Sequence, residues 1–256
     1  MALLEVRDLT VRFGGILALD AVTFDVEEGT ILGLIGPNGA GKTTFFNVVT
    51  RVYRPIAGDV VFEGKSLLDE RPHNIVRRGI ARTFQNVELF PRMTVLQNVM
   101  VGLHTLIHSP GYFLGTAIGL GGKVEAEARR RALDALELVG ISDLAERPVL
   151  GLPYGTLKSV ELARAIVARP KLLLLDEPAG GLNHDEVQRL VERFHDLHRE
   201  LSLTMLVVEH HMNLVMRVSD KVAVIDFGRK IAEGTPKEVQ SDKRVIDAYL
   251  GAEGVG

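Results

Sequence analysis

The chain has 256 residues, 46% hydrophobic and 25% charged, which suits a globular protein with a sizeable core. The absence of cysteine excludes disulfides, thiolate catalysis and Cys-ligated metals. With 30 basic against 33 acidic residues, a net charge of −3 leaves no excess for tracking a nucleic-acid backbone, so nucleic acid is not expected as a partner. Charges at Glu5, Arg7 and Asp8 come too early for a signal peptide. The longest weakly polar run, residues 111–122, is too short to cross a bilayer. A soluble chain is expected, one that serves a membrane only by docking to it.

Residues 3–13 and 17–26 alternate apolar and polar side chains at the strand period, with Gly14-Gly15 as the hairpin turn between them. An apolar run at residues 30–35 ends in Gly36, and a helical pattern starts near Gly41. Residues 58–62 predict another strand, closed by a turn at Glu63-Gly64, and residues 80–84 a short buried one. From Gln85 to Arg169 the pattern turns to helix and loop, with helical spacing over residues 124–139. Glu125 and Glu127 stand there four residues ahead of Arg129 and Arg131, the favourable order for pairs on an exposed helix face. Residues 103–122, rich in glycine and small side chains, predict a surface loop.

After Pro170 the α/β pattern returns. Residues 172–175 are continuously apolar, as in a strand covered on both faces. Asn183 and Glu186 have the spacing of a capping box opening a helix to about Arg199. Residues 203–208, 222–225 and 230–232 predict strands. The sum is an α/β core over residues 1–84 and 170–256, interrupted by a mostly helical lobe over residues 85–169.

Gly36-Pro37-Asn38-Gly39-Ala40-Gly41-Lys42-Thr43 matches the P-loop pattern, with a strand before it and a helix after. Glycines let backbone N–H groups turn toward an anion, and the helix start, with Thr44 in its first turn, points its positive end there. Lys42 is placed to reach the β- and γ-phosphates of a nucleotide such as ATP, and the Thr43 hydroxyl to ligate Mg2+. The loop alone leaves kinases, GTPases and motors open. Residues 172–175 run into Asp176-Glu177, and two carboxylates at the end of a buried strand are costly without a cation. Asp176 is suited to orient Mg2+ and Glu177 to polarise an attacking water, which favours hydrolysis over transfer to an acceptor.

Together these residues resemble an ABC-type ATPase: a P-loop NTPase (RecA-like) core with an N-terminal antiparallel β subdomain and an inserted α-helical subdomain. The resemblance implies that Phe13 stacks on adenine and that Gln85 senses Mg2+ and water while facing a membrane subunit. It places a signature loop at Leu152-Pro153-Tyr154-Gly155-Thr156, a D-loop at Ala179-Gly180-Gly181-Leu182-Asn183, and a γ-phosphate switch at His210. Singly, Phe13, Gln85 and His210 read as core or strand-end residues; their joint order overrides that reading. Pro153, Tyr154, Thr156 and Asn183 depart from the family's common residues and bear on the composite site that Tyr154, Gly155 and Thr156 would complete.

Tyrosine before Gly155, the run Arg82-Thr83-Phe84-Gln85-Asn86-Val87-Glu88-Leu89-Phe90, the insertion after Leu103 and the tail Gly234-Thr235-Pro236 … Ala248-Tyr249-Leu250-Gly251 resemble the ATPases of branched-chain amino acid importers. The resemblance implies a peripheral subunit on the cytoplasmic face of the cell membrane. Its partners would be a second ATPase subunit, identical or different, transmembrane permeases and, indirectly, a periplasmic or extracellular solute-binding protein. Rival readings are a subunit for another solute (another amino acid, an amide, urea or a lipid), a non-transport ABC ATPase, a P-loop kinase and a regulatory nucleotide-binding module.

Overall fold

The computed structural model describes residues 1–83, 87–104, 121–210 and 212–253. Four strands form an antiparallel sheet in the order β2-β1-β4-β5: β1 (Ala2–Phe13), β2 (Ile16–Glu27), β4 (Ala57–Phe62) and β5 (Lys65–Ser66). Phe13 pairs with Ile16, so Gly14 and Gly15 make a two-residue turn as the sequence predicts. A six-stranded sheet runs β10-β9-β3-β8-β7-β6. Its members are β3 (Ile31–Ile35), β6 (Ile80–Arg82), β7 (Leu172–Asp176), β8 (Thr204–Val208), β9 (Lys221–Asp226) and β10 (Arg229–Gly234). All pairs are parallel except the β9–β10 hairpin.

Every residue of β3, β7 and β8 is buried, because both faces of this sheet are covered. The strand period sorts their side chains into two cores. Leu32, Leu34, Leu172, Leu174, Leu206 and Val208 join the antiparallel sheet and helix α1 (Lys42–Val49). Ile31, Ile35, Leu173, Leu175, Met205 and Val207 join the remaining helices. These are α2 (Val95–Met100), α3 (Gly121–Leu138), α4 (Tyr154–Ile166), α5 (His184–Leu201) and α6 (Met212–Val218), with α7 (Pro236–Ser241) and α8 (Lys243–Glu253) closing the chain. Phe45 and Phe46 of α1 are fully buried, with the Phe45 ring tilted against that of Phe24 of β2, centroids 5.1 Å apart.

Several expectations change. Leu103 is buried in a short 3-10 turn and Gly121 and Gly122 belong to α3, so both described ends of the segment expected as loop over residues 103–122 are helical; residues 105–120 lie outside the described residues. The Glu127–Arg131 pair forms at 2.7 Å, but Arg129 reaches Glu146 at 2.6 Å instead of Glu125. Glu146, 17 residues along the chain and outside α3, competes with the helix's own Glu125 for Arg129. The capping box at Asn183 is present: its Oδ1 accepts from the Glu186 N–H at 3.0 Å, and its N–H donates to Glu186 Oε2 at 2.8 Å. α7 and α8 were not anticipated.

Replacing Phe45 with Ala opens a void between the two sheets. Urea unfolding of Phe45→Ala is expected to show a loss of about 3–5 kcal/mol.

Candidate active site

The site starts where β3 runs out. A side chain at Gly36 would put its Cβ 2.0 Å from the Ile225 carbonyl oxygen, and one at Gly41 (φ 108°) would meet the Ala18 carbonyl oxygen at 2.5 Å. Only glycine lets the loop pass this close to β9 and β2. Gly41 also opens α1 without a side-chain cap, so the first N–H groups of the helix have no local acceptor from its cap residue. Asn38, Gly39 and Thr43 are exposed, Pro37, Gly41 and Thr44 partly so, while Gly36, Ala40 and Lys42 are buried. The result is a cradle of backbone donors on a helix start, an anion site.

Lys42 lies across this loop, donating to the Gly36 carbonyl at 2.6 Å and the Pro37 carbonyl at 2.9 Å. Burial lowers the pKa of its ammonium, and the charges of Glu177, Asp176 and Glu209 oppose that shift. The cationic tip and the acidic strand ends therefore share one site.

Asp176 ends β7, buried, with its Oδ2 2.7 Å from the Arg82 guanidinium of β6. Arg82 also donates to Asn47 Oδ1 at 2.8 Å and sits 5.3 Å over the Phe46 ring, which ties the acid to α1. Glu177 follows at φ 45°, its N–H on the Val208 carbonyl at 2.9 Å. Its Oε2 lies 3.7 Å from His210 Nδ1. Glu209 is fully buried: Oε1 accepts from the Ala179 N–H at 2.7 Å and Oε2 from the His210 N–H at 2.9 Å. It fixes both the turn after Glu177 and the backbone of His210. Thr43 and Asp176 line a common groove, and a hydroxyl beside a carboxylate is the oxygen donor set that suits Mg2+.

Phe13 caps the end of β1, partly exposed, with its ring edge-on to Tyr53 at 4.9 Å. Tyr154, Gly155 and Thr156 open α4 behind Pro153, which offers no side-chain cap. Tyr154 is close enough to Gly181 that a Cβ there would meet its ring at 2.8 Å, and a Cβ on Gly155 would meet Glu186 at 2.5 Å. Thus the segment at residues 153–156 leans on residues 179–186. Among the described residues, no hydrogen bond or ion pair joins it to residues 36–44. Buried Lys158 lies 5.8 Å over the Tyr154 ring; burial lowers its pKa against the charges of Glu161, Glu209, Asp176 and Glu177. Gln85 lies outside the described residues.

Glu209, Arg82, Tyr53 and Lys158 were missed by the sequence reading. Glu209 carried a usable signal, since it follows an apolar run just as Asp176 does; the other three carried none beyond residue type. Removing Arg82 strands a buried carboxylate, so Arg82→Met is expected to lose about 3 kcal/mol in urea unfolding. A loss within 0.5 kcal/mol, roughly the scatter of surface substitutions, would show that Asp176 does not depend on it.

Comparison with known proteins identifies the family and the fold. Residues 19–180 match the ABC transporter family, and residues 229–255 match the branched-chain amino acid ATP-binding cassette transporter family. The chain is 42% identical to the high-affinity branched-chain amino acid transport ATP-binding protein BraF of Pseudomonas aeruginosa, covering 97% of this chain and 98% of that one. It is 41% identical to LivG of Salmonella typhimurium, a protein of the same description, with the same coverage. Among solved structures, the ADP conformation of an ATP-binding cassette of an ABC transporter aligns with a TM-score of 0.85 at 31% identity, covering 98% of this chain and 99% of that one. A nucleotide-free cassette aligns at 0.83 with 32% identity, covering 97% and 99%. The chain belongs to the ABC transporter family as an ATP-binding, ATP-hydrolysing cassette, and resembles within it the ATP-binding proteins of branched-chain amino acid transport.

Proposed function

We propose that this chain hydrolyses ATP with Glu177 as the general base and thereby drives import of branched-chain amino acids. The observation that carries the chemistry is the meeting of Lys42 with Asp176, Glu177 and Glu209 at one end of the parallel sheet. In this reading Lys42 gives up its two carbonyl partners for the β- and γ-phosphates, and the N–H groups of residues 39–44 hold the remaining oxygens. Asp176 and Thr43 would hold Mg2+, which supplies charge neutralisation on the phosphates when bound. Glu177 takes the proton of the attacking water, and His210, 3.7 Å from that carboxylate, faces the γ-phosphate. Phe13 offers its exposed ring to adenine. Gln85 keeps its proposed place as a sensor of Mg2+ and water.

The family pairs two cassettes. Tyr154, Gly155 and Thr156 would then complete the nucleotide site of a partner cassette, and the helix start at Tyr154 supports this, since it leaves N–H donors free of a side-chain cap. Work is limited by how much better ATP binds the closed pair than the open one.

Among the described residues no helix is long and apolar enough to cross a membrane. Transmembrane permeases would dock on the region after Gln85 together with the helical lobe. The peripheral position on the cytoplasmic face and the solute-binding protein follow from this importer assignment. The solute itself rests on what the relatives are named for.

Glu177→Gln is expected to slow steady-state ATP hydrolysis by about 10²–10⁴ while retaining ATP binding. Lys42→Ala should instead weaken binding, measured by fluorescent nucleotide titration. Near-normal turnover in the first variant would remove Glu177 from its role. For the solute, proteoliposomes holding this chain with its neighbouring permeases should take up leucine only with ATP inside and outside binding protein present.

A further inference from the structure

The chain just beyond Gln85 is held from two sides. Asn98 of α2 is fully buried and clamps Phe90: its Oδ1 accepts from the Phe90 N–H at 2.8 Å, and its Nδ2 donates to the Phe90 carbonyl at 3.1 Å. Just before Phe90, the Glu88 carbonyl accepts from Arg164 Nη1 at 2.5 Å. Arg164 stands on α4, the helix that Tyr154 opens, so residues 88–90 bridge α2 and α4. The backbone is pinned while Phe90 and Met93 keep apolar surface exposed. Close packing sets the bridge. A Cβ at Gly102, in the 3-10 turn after α2, would lie 2.2 Å from the Arg164 carbonyl oxygen, so a residue without a side chain lets this turn close over α4. The Arg164 guanidinium also lies 3.9 Å from buried Glu161, one turn back on the same helix.

We propose that Arg164 is a positioning residue that couples the segment after Gln85, where a permease would dock, to the helix start at Tyr154. A guanidinium donating to a carbonyl makes a charge-assisted bond, stronger than a neutral one. α4 is a rigid element, so a shift of the Glu88 carbonyl passes through Arg164 to residues 154–156, which would complete the partner cassette's nucleotide site. The state of the permease then alters how well two cassettes close on ATP. Lys42, Asp176 and Glu177 keep their own contacts throughout. Arg164 therefore acts on the response to permease and solute and leaves hydrolysis by the chain alone in place.

The inference rests on the docking and pairing readings above. Its test uses proteoliposomes holding this chain with its neighbouring permeases. In Arg164→Met, stimulation of ATP hydrolysis by leucine-loaded binding protein is expected to fall about five- to tenfold. Hydrolysis by the chain without permease, and its affinity in fluorescent nucleotide titration, should stay within about twofold, well short of that coupling loss. Amide hydrogen exchange of the full chain should quicken over residues 87–93 and hold the parent's rate over residues 36–44. Arg164→Met also takes a charge away from Glu161. A Glu161→Gln background removes that carboxylate, and adding Arg164→Met to it should lose stimulation to the same degree. Full stimulation in the double variant, or a basal rate that falls in step with the stimulated one, would overturn the proposal. A parent complex whose hydrolysis ignores the binding protein would instead bring down the importer reading, and this inference with it.

Discussion

Parallel pairing in a single register decides where the charges of this molecule fall. Val208 of β8 stands opposite both Leu34 of β3 and Asp176 of β7. The three strands consequently reach one edge together, and the residues that follow them, Gly36, Glu177 and Glu209, emerge side by side. A slip of one residue in any strand would send its carboxylate to the other face and its apolar neighbours with it. Three acids at a buried edge are expensive unless compensated. Arg82 answers Asp176, two backbone N–H groups answer Glu209, and Lys42 lies within the field of all three. A site built this way has little tolerance for losing a cationic charge.

The helix that brings Lys42 to this edge could not stand alone. Eight residues are too few for a stable isolated helix in water. α1 persists because Phe45, Phe46, Val48 and Val49 are buried between two sheets, and this packing aims its N-terminus at the strand ends. Packing and chemistry are therefore one problem here. The same Phe46 that fills the core also carries Arg82 over its ring, and Arg82 holds Asp176.

What could be read in the sequence was what depends on near neighbours. The P-loop, the apolar strands, the Asp176-Glu177 pair and the Asn183–Glu186 capping box each sit within a few residues and answer to local rules. Arg82 and Asp176 are 94 positions apart, and their pairing exists only because β6 lies beside β7. The position of Glu209 after an apolar run hinted at a role, but its bond to the Ala179 N–H, 30 positions away, is a tertiary outcome. Arg129 turned from Glu125 to Glu146 for the same reason: spacing along a helix proposes partners, and the next segment competes for them. Of the closing helices, α7 escaped because its six residues carry a single buried apolar side chain, Val239, too few to set a period.

Glu177 shows how the site holds its geometry. It adopts φ 45° although it is not glycine, and it precedes Pro178, whose ring restricts the preceding residue to extended backbone. A non-glycine residue in this region costs on the order of 1–3 kcal/mol. The surroundings compensate with three contacts: the Glu177 N–H on the Val208 carbonyl at 2.9 Å, the Gly180 N–H on the Glu177 carbonyl at 3.1 Å, and the Ala179 N–H on Glu209 at 2.7 Å. Relaxing the backbone to an ordinary conformation would break the first two and swing the carboxylate away from His210. The strain is thus tied to the orientation that faces His210, the one the proposed mechanism uses. Glu209, buried beneath it and bonded to both flanking turns, is what makes that orientation the stable one.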